Sequence, residues 1–223
     1  ICEGSNHSAW QNKMIITKKK PFETINESIK PFKRVFIVGC GTCSTVCQTG
    51  GEAQVKELAE RVGEKCVGYA VVESPCDMRV LRRDLAPKRA EVDSADAIVT
   101  LCCGAGAQST ADLTGKIIIP GLDTLFIGKI ERIGSFYERC RACTDCIILE
   151  TGGICPYSRC AKGLLNGPCG GQVQGKCEVG GYQRDCAWVL AYNALKKQGR
   201  LEVFKKYRQP ADKSRKPQEI VNR

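Results

Sequence analysis

The chemistry available to this sequence rests on thiols, because it contains sixteen cysteines and a single histidine. The densest stretch covers residues 140–160 and reads CRACTDCIILETGGICPYSRC, with a C-x-x-C-x-x-C run at its start. Thiols three residues apart on a tight loop can converge on one metal centre, whereas a disulfide between two of them would constrain little of the chain. We therefore interpret these cysteines as metal ligands rather than as a disulfide framework.

The cysteines of the C-terminal part are enough for two four-ligand sites. A C-x-x-C-x-x-C run can hold three corners of one [4Fe–4S] cubane, and Cys155–Pro156 matches the Cys-Pro ending of the ferredoxin pattern, although eight residues rather than three precede it. Glycine-rich flanks supply backbone N–H groups that can hydrogen-bond to sulfur. The sequence thus predicts two [4Fe–4S] clusters, and zinc in one or both sites is the alternative. The predicted ligands are Cys140, Cys143, Cys146, Cys155, Cys160, Cys169, Cys177 and Cys186.

The spacing only partly assigns these ligands to the two clusters. We expect Cys140, Cys143 and Cys146 to share one cluster. In two-cluster ferredoxins the cysteine before proline serves the other cluster, and by that precedent Cys155 and Cys160 belong together with two of the remaining three cysteines. Which two of those three take part stays open.

A second group of cysteines follows the predicted strands of the N-terminal part. In an open parallel sheet the carboxyl ends of the strands meet at one edge, where ligands bind. We predict a third cluster there, held by Cys43, Cys47, Cys76 and Cys103, with Cys40 or Cys102 as alternates. The competing interpretation is that Cys40 and Cys102 are small buried hydrophobic residues, a common role for cysteine.

Hydrophobic patterning predicts an α/β fold in the N-terminal half. Short apolar runs indicate strands at residues 34–38, 68–72, 97–102 and 116–120, and amphipathic segments between them, such as 52–62, indicate helices. This alternation is typical of a small Rossmann-like parallel sheet with helices. Beyond about residue 130 no further strand is predicted. A cysteine-rich loop and helix domain follows there, with little apolar material, so we expect its fold to depend on metal.

The sequence predicts four segments. Residues 1–13, which include Cys2 and His7, are excluded from the predicted fold because we interpret them as an upstream or non-native extension. Met14 is a plausible start. A C-terminal helix is predicted over residues 187–207, interrupted at Gly199. The segments are an N-terminal arm over residues 1–33 with one short helix, a Rossmann-like domain over 34–130, an iron–sulfur domain over 131–208 and an exposed tail over 209–223.

Several function classes are disfavoured. The formal net charge of +10 suggests binding to nucleic acid. However, each oxidised Cys₄-ligated cluster would lower this net charge by about 2. No motif of aromatic and basic residues supports nucleic-acid binding. The GCGTCS turn lacks the third glycine of a dinucleotide-binding loop. No apolar run approaches the roughly 18 residues that span a membrane. Residues 1–13 lack the apolar core of a signal peptide, so we expect a cytoplasmic location, where thiols stay reduced.

No catalytic constellation is recognisable either, because the sequence offers neither a histidine general base nor a phosphate-binding loop. Redox centres without a substrate site are typical of an electron conduit, and a zinc-stapled structural or interaction module is the alternative. The conduit would itself be non-catalytic, a subunit of an oxidoreductase.

The sequence resembles the MetV family, which carries a methylenetetrahydrofolate reductase C-terminal-type domain and is found beside the MetF flavoprotein in acetogenic bacteria. The resemblance covers residues 33 to 208 and is carried by the segments CPYSRCAKGLLNGPCGGQVQGKCEV, CAWVLAYNALKKQGRL, GCGTCSTVCQTGGE, CCGAGAQ and PGLDTLF. It implies an iron–sulfur subunit that takes electrons from an external donor, such as ferredoxin or another electron-transfer subunit, and passes them to the flavin of MetF. The flavoprotein would then reduce 5,10-methylenetetrahydrofolate to 5-methyltetrahydrofolate in the Wood–Ljungdahl pathway. The resemblance places the flavin- and folate-binding residues on the partner.

Overall fold

The computed structural model describes residues 15–210, so the expectations for residues 1–13 and for most of the tail lie outside the described part of the chain. The chain divides into two compact units, with the boundary between Tyr137 and Glu138. The domain bounds predicted from the sequence, with a division between residues 130 and 131, stay a prediction.

The first unit is built on a four-stranded sheet in the order β3-β2-β4-β5, in which every neighbouring pair is parallel. This sheet and its helices confirm the predicted α/β class. The central strands consist mainly of apolar residues, and all six residues of β2 and all five of β4 are buried, as expected for strands covered on both faces. The strands are β2 (Val35–Cys40), β3 (Cys66–Val72), β4 (Ala97–Leu101) and β5 (Ile117–Pro120).

The two faces of this sheet are covered by different helices. Successive side chains along a strand point to opposite faces, and Ile37 joins one core cluster with Val55, whereas Phe36 joins another with Leu81. The helices are α1 (Phe22–Ile29), α2 (Cys43–Val46), α3 (Glu52–Val62), α4 (Met78–Leu85), α5 (Arg89–Ser94), α6 (Gly104–Thr114), α7 (Pro156–Arg159) and α8 (Ala187–Lys197). Helices α1 and α3 contribute to the first cluster, and α4 and α5 to the second.

Three strands that were not predicted from the sequence form a second sheet. They are β1 (Ile15–Lys19), β6 (Leu122–Arg132) and β7 (Ser135–Cys140), and their order in the sheet is β1-β6-β7. Strand β1 runs antiparallel to β6, with Ile16 opposite Phe126. Because β1 is short and basic, its own residues give little strand signal, and its conformation depends on a partner more than one hundred residues away.

The second unit contains little regular structure. Its helix α8 ends at Lys197, and Gly199 follows with a φ of +69°, which confirms the interruption predicted there. A 3-10 segment, Leu201–Lys205, comes next. The buried hydrophobic residues among the described part of this unit are Ala187, Trp188, Ala191 and Leu195, all on α8. Within residues 15–210 no helix has the length and apolarity needed to cross a membrane.

Candidate metal centres

The eight C-terminal cysteines are all free thiols, and all lie in the second unit. Cys140, Cys146 and Cys169 are exposed, and the other five are partly buried. As the described side chains stand, no group of three or more His, Cys, Asp or Glu residues forms a ready metal-binding arrangement.

The C-x-x-C-x-x-C segment forms a tight loop that begins at the end of β7. Ala142 and Thr144 adopt left-handed backbone conformations, with φ of +49° and +66°. Such conformations cost of order 1 kcal/mol or more for residues other than glycine and concentrate at ligand clamps. The N–H of Ala142 points to Cys140 and donates to its Sγ at 3.4 Å. This loop thus directs backbone donors at sulfur, as a metal-bound thiolate requires.

Cys155 and Cys160 flank the short helix α7. The hydroxyl of Ser158 in this helix donates to the backbone carbonyl of Arg139 at 3.0 Å. Since Arg139 directly precedes Cys140, this hydrogen bond brings the helix between Cys155 and Cys160 next to the start of the C-x-x-C-x-x-C loop. The structure therefore places two parts of the predicted ligand set side by side.

Cys177 and Cys186 share one face of a small antiparallel ribbon. Cys177 N–H donates to Arg184, and Cys186 N–H donates to Gly175, both at 2.7 Å. The residue directly before each cysteine is Lys176 or Asp185. These two residues pair as an antiparallel β-bridge and form an ion pair at 2.6 Å. Alternate residues of a ribbon point to opposite faces, so both cysteines lie on the face away from this ion pair. Diagonal neighbours of this kind have Cα atoms roughly 7–8 Å apart, close enough for one shared centre.

Cys169 is connected to this ribbon through Glu178. The carboxylate of Glu178 accepts a hydrogen bond from Cys169 Sγ at 3.4 Å and also contacts the ammonium of Lys162. The hydrogen bond from Lys162 lowers the pKa of Glu178 below its ordinary value. Because Glu178 follows Cys177 in the chain, this contact brings Cys169 towards Cys177 and Cys186.

Positive charge accumulates beside the first group of cysteines. Burial lowers the pKa of the Arg159 guanidinium, the nearby Arg139 lowers it further, and Asp185 acts in the opposite direction. Each arginine directly precedes a predicted ligand, Cys140 or Cys160. Neither arginine is among the site residues predicted from the sequence, although the position of each directly before a cysteine could have indicated a role at the site. A cluster with four thiolate ligands carries a negative charge that such neighbours would offset.

The N-terminal thiols gather at the carboxyl edge of the parallel sheet. Cys40 ends β2, Cys43 begins α2, Cys76 follows β3, and Cys102 and Cys103 follow β4. Cys40 and Cys102 pack together with Ala107 of α6. This packing is also what the competing interpretation, that both are buried hydrophobic residues, expects. We call these five residues the sheet-edge thiols.

The sheet-edge thiols are close enough to influence one another. Burial raises the pKa of the Cys102 thiol far above its ordinary value, and the neighbouring Cys103, Cys40 and Cys76 raise it further. Burial likewise raises the pKa of the Cys43 thiol, with smaller contributions of the same sign from Cys40 and Cys103. All five thiols therefore belong to one neighbourhood.

The described part of the first unit contains two further cysteines. The thiol of Cys47, a predicted ligand, donates to the backbone carbonyl of Ile15 at 3.7 Å, and the Cys43 thiol also hydrogen-bonds to the Ile15 backbone. Cys66 is the first residue of β3 and therefore lies at the opposite, amino edge of the sheet, where its thiol contacts the carbonyl of Gly68 at 3.5 Å. Cys40 and Cys102 thus lie near Cys43, Cys76 and Cys103. Cys66 lies at the other end of β3, away from them.

Comparison with known proteins links the C-terminal part to one enzyme family. Residues 119–214 match the family model described as Methylene-tetrahydrofolate reductase C terminal. The match covers less than half of the chain and includes all eight C-terminal cysteines. No curated protein and no solved structure matches the chain significantly. The C-terminal part is thus similar to a domain associated with methylene-tetrahydrofolate reductases.

Proposed function

We propose that this chain is the electron-transfer subunit of a cytoplasmic methylenetetrahydrofolate reductase complex, as its resemblance to the MetV family implies. Its partner is a MetF-type flavoprotein that binds flavin and folate and reduces 5,10-methylenetetrahydrofolate to 5-methyltetrahydrofolate in the Wood–Ljungdahl pathway. An external donor such as ferredoxin supplies the electrons. The cysteine-rich unit holds two [4Fe–4S] clusters, which accept and release electrons one at a time.

The observation that carries this proposal is the position of the family match. The matched segment, residues 119–214, contains all eight cysteines from 140 to 186. The part of the chain that is similar to a methylene-tetrahydrofolate reductase domain is therefore the part that offers eight thiols. A unit whose main chemical feature is a set of thiols is suited to carrying electrons.

The stability of the second unit also supports metal ligation. Its described buried hydrophobic residues, named above, all belong to the single helix α8. A unit with so small a core does not bury enough apolar surface to offset the entropy of ordering its loops. In small loop-rich domains, metal binding supplies the missing folding free energy.

The local contacts support the same assignment of ligands. The N–H group that Ala142 directs at Cys140 and the shared ribbon face of Cys177 and Cys186 are features that a metal-bound thiolate would use. Arg139 and Arg159 place positive charge next to Cys140 and Cys160. This charge would offset the negative charge of a cluster with four thiolate ligands.

The proposal is tested with the full chain purified anaerobically and mixed with the MetF-type flavoprotein. We expect two clusters' worth of iron and sulfide from the C-terminal ligands, about eight of each per chain. Reduced ferredoxin should then bleach the flavin only when this chain is present. The variant Cys143→Ser/Cys146→Ser should lose iron and slow flavin reduction strongly, whereas the control Cys66→Ser should behave as wild type.

Two results would contradict the proposal. Zinc without sulfide in the purified chain would indicate the structural module instead of the conduit. Flavin reduction by ferredoxin at the same rate with and without this chain would remove its role as an electron carrier.

A further inference from the structure

We propose that the sheet-edge thiols hold an additional [4Fe–4S] cluster, ligated by Cys43, Cys76, Cys103 and either Cys40 or Cys102. This site lies in the first unit and is independent of the C-terminal ligands. Of the ligands predicted from the sequence it keeps Cys43, Cys76 and Cys103, and one of the two predicted alternates takes the place of Cys47.

The sheet topology brings these residues together. Strands β3, β2 and β4 are neighbours and run in parallel, so their carboxyl ends meet at one edge. The backbone closes this edge, since Gly41 N–H donates to the carbonyl of Val72 at 2.8 Å and links the end of β2 to the end of β3. Thiols from three separate strand ends therefore share a site that no single segment of the sequence could form, and parallel sheets bind ligands at this position.

The surroundings of the thiols suit a bound cluster. Cys40, Cys43 and Cys102 are buried, Cys103 is partly buried, and Cys76 is exposed. A cluster here would be largely shielded from water, while Cys76 would lie on its solvent side. Cys103 occupies the N-cap position of α6, an eleven-residue helix, so the positive end of the helix dipole lies next to the proposed site.

A glycine lets helix α6 pack directly against the buried thiols. Gly106 of α6 lies against Cys102, and a Cβ at this glycine would be 2.9 Å from Cys102 Sγ and 3.1 Å from Pro75. The helix thus approaches the buried thiols as closely as the backbone permits. Next to Cys43, the hydroxyl of Ser44 is fully buried and finds no hydrogen-bond partner among residues 15–210. Buried polar groups usually have a partner, so this orphan is a further sign of a group that completes the site.

The type and the number of the ligands point to the occupant. Thiolates select zinc, copper(I) and iron–sulfur clusters, and four cysteines without histidine are a ligand set of both structural zinc and [4Fe–4S] clusters. We commit to the cluster because this edge offers five thiols from three strand ends, one more than a tetrahedral zinc ion binds. Binding requires the four ligating thiols to lose their protons, which leave to solvent as the cluster is assembled.

The test measures iron, sulfide and zinc in full-length variants assembled anaerobically. Cys76→Ala removes an exposed ligand without disturbing the core, and Cys43→Ser/Cys103→Ala removes two more central ones. Each should lower the content by about four irons and four sulfides per chain. The matched controls Cys47→Ser and Cys66→Ser should retain the content of the wild type. Circular dichroism checks that each variant is folded.

The outcomes separate this site from the C-terminal clusters. Loss of about four irons in the sheet-edge variants alone supports the proposal, even if Cys143→Ser/Cys146→Ser leaves the iron content unchanged and the proposed function fails. Full iron content in a folded Cys76→Ala variant would overturn it. So would loss of iron in Cys47→Ser, or the loss of zinc in place of iron and sulfide.

Discussion

Arg208 and Glu150 form a bidentate contact inside the second unit. Arg208 Nε donates to Glu150 Oε2 at 2.8 Å, and its Nη2 donates to the backbone carbonyl of the same residue at 2.9 Å. The Arg208 side chain is only 6% exposed, and its guanidinium lies 5.7 Å from the centre of the Trp188 ring. The side-chain oxygen Oδ1 of Asn166 accepts a hydrogen bond from the backbone N–H of Arg208 at 2.7 Å. This contact joins the chain after α8 to two earlier loops of a unit with few other anchors.

Replacing Arg208 by methionine should destabilise the second unit substantially. Methionine cannot donate the hydrogen bonds that the buried guanidinium gives to the carboxylate and the carbonyl of Glu150, and the loss of hydrogen bonds to a charged group typically costs about 2 kcal/mol or more even though Lys206 still pairs with this carboxylate. The control is Lys206→Met, because Lys206 binds the same carboxylate at 2.5 Å but its side chain is 61% exposed, so we expect a loss below about 1 kcal/mol. Urea unfolding of the holoprotein measures both, and equal losses in the two variants would contradict the buried role of Arg208.

The same carboxylate predicts a pH dependence. The hydrogen bond from Lys206, followed by that from Arg208, lowers the pKa of Glu150 below its ordinary value of 4.5. A depressed pKa in the folded state contributes stability above pH 4.5 that is lost as the pH falls through the folded value. The stability difference between wild type and Glu150→Gln should therefore shrink on acidification below pH 4.5. A parallel series with Glu202→Gln provides the baseline, and a difference that grows towards acid would refute the assignment.

Removal of metal should unfold the second unit and leave the parallel sheet in place. Trp188 reports on this event because it is 2% exposed and its indole N–H donates to the carbonyl of Leu164 at 2.9 Å. In a Trp10→Phe background Trp188 is the single tryptophan. Anaerobic chelation of iron should shift its emission to longer wavelength and raise its quenching by acrylamide. Unchanged emission after complete removal of iron would show that the unit folds without its metal.

Gly50 should tolerate no side chain. A Cβ at this position would lie 1.9 Å from the carbonyl oxygen of Leu101, which is backbone and unable to move aside. We expect Gly50→Ala to cost roughly 3 kcal/mol, at the upper end of the usual cost of overpacking. Its carbonyl also accepts the Cys40 N–H at 2.9 Å, so the sheet-edge thiols should be displaced as well.

The matched control for this substitution is Gly104→Ala. Gly104 begins α6, and a Cβ there would meet only Thr124 Oγ1, at 3.7 Å. The change should be neutral or stabilise by up to about 1 kcal/mol, because alanine lowers the entropy of the unfolded chain. Thermal unfolding compares the two variants, and a Gly50→Ala protein as stable as Gly104→Ala would disprove the close contact.

The parallel sheet was predictable because its elements carry their own signals. The predicted helix over residues 52–62 coincides with α3, Glu52–Val62, since its apolar residues recur at helical spacing. The four predicted strands correspond to β2, β3, β4 and β5, because central strands buried on both faces are continuous apolar runs. Strand β1 had no such signal. Its residues IITKK become a strand only through pairing with β6.

The number and the spacing of the cysteines by themselves determined that the chemistry of this protein rests on thiols. They also determined which part of the chain contains most of them. The sequence also indicated that cysteines lie at or just after the carboxyl ends of the strands predicted over residues 34–38 and 97–102, because hydrophobic periodicity is a local property. Only the tertiary structure decided that Cys40 and Cys102 join Cys43, Cys76 and Cys103, and that Cys47 contacts Ile15. Proximity between distant segments depends on how the strands order themselves and how closely a helix packs, and neither follows from spacing along the chain.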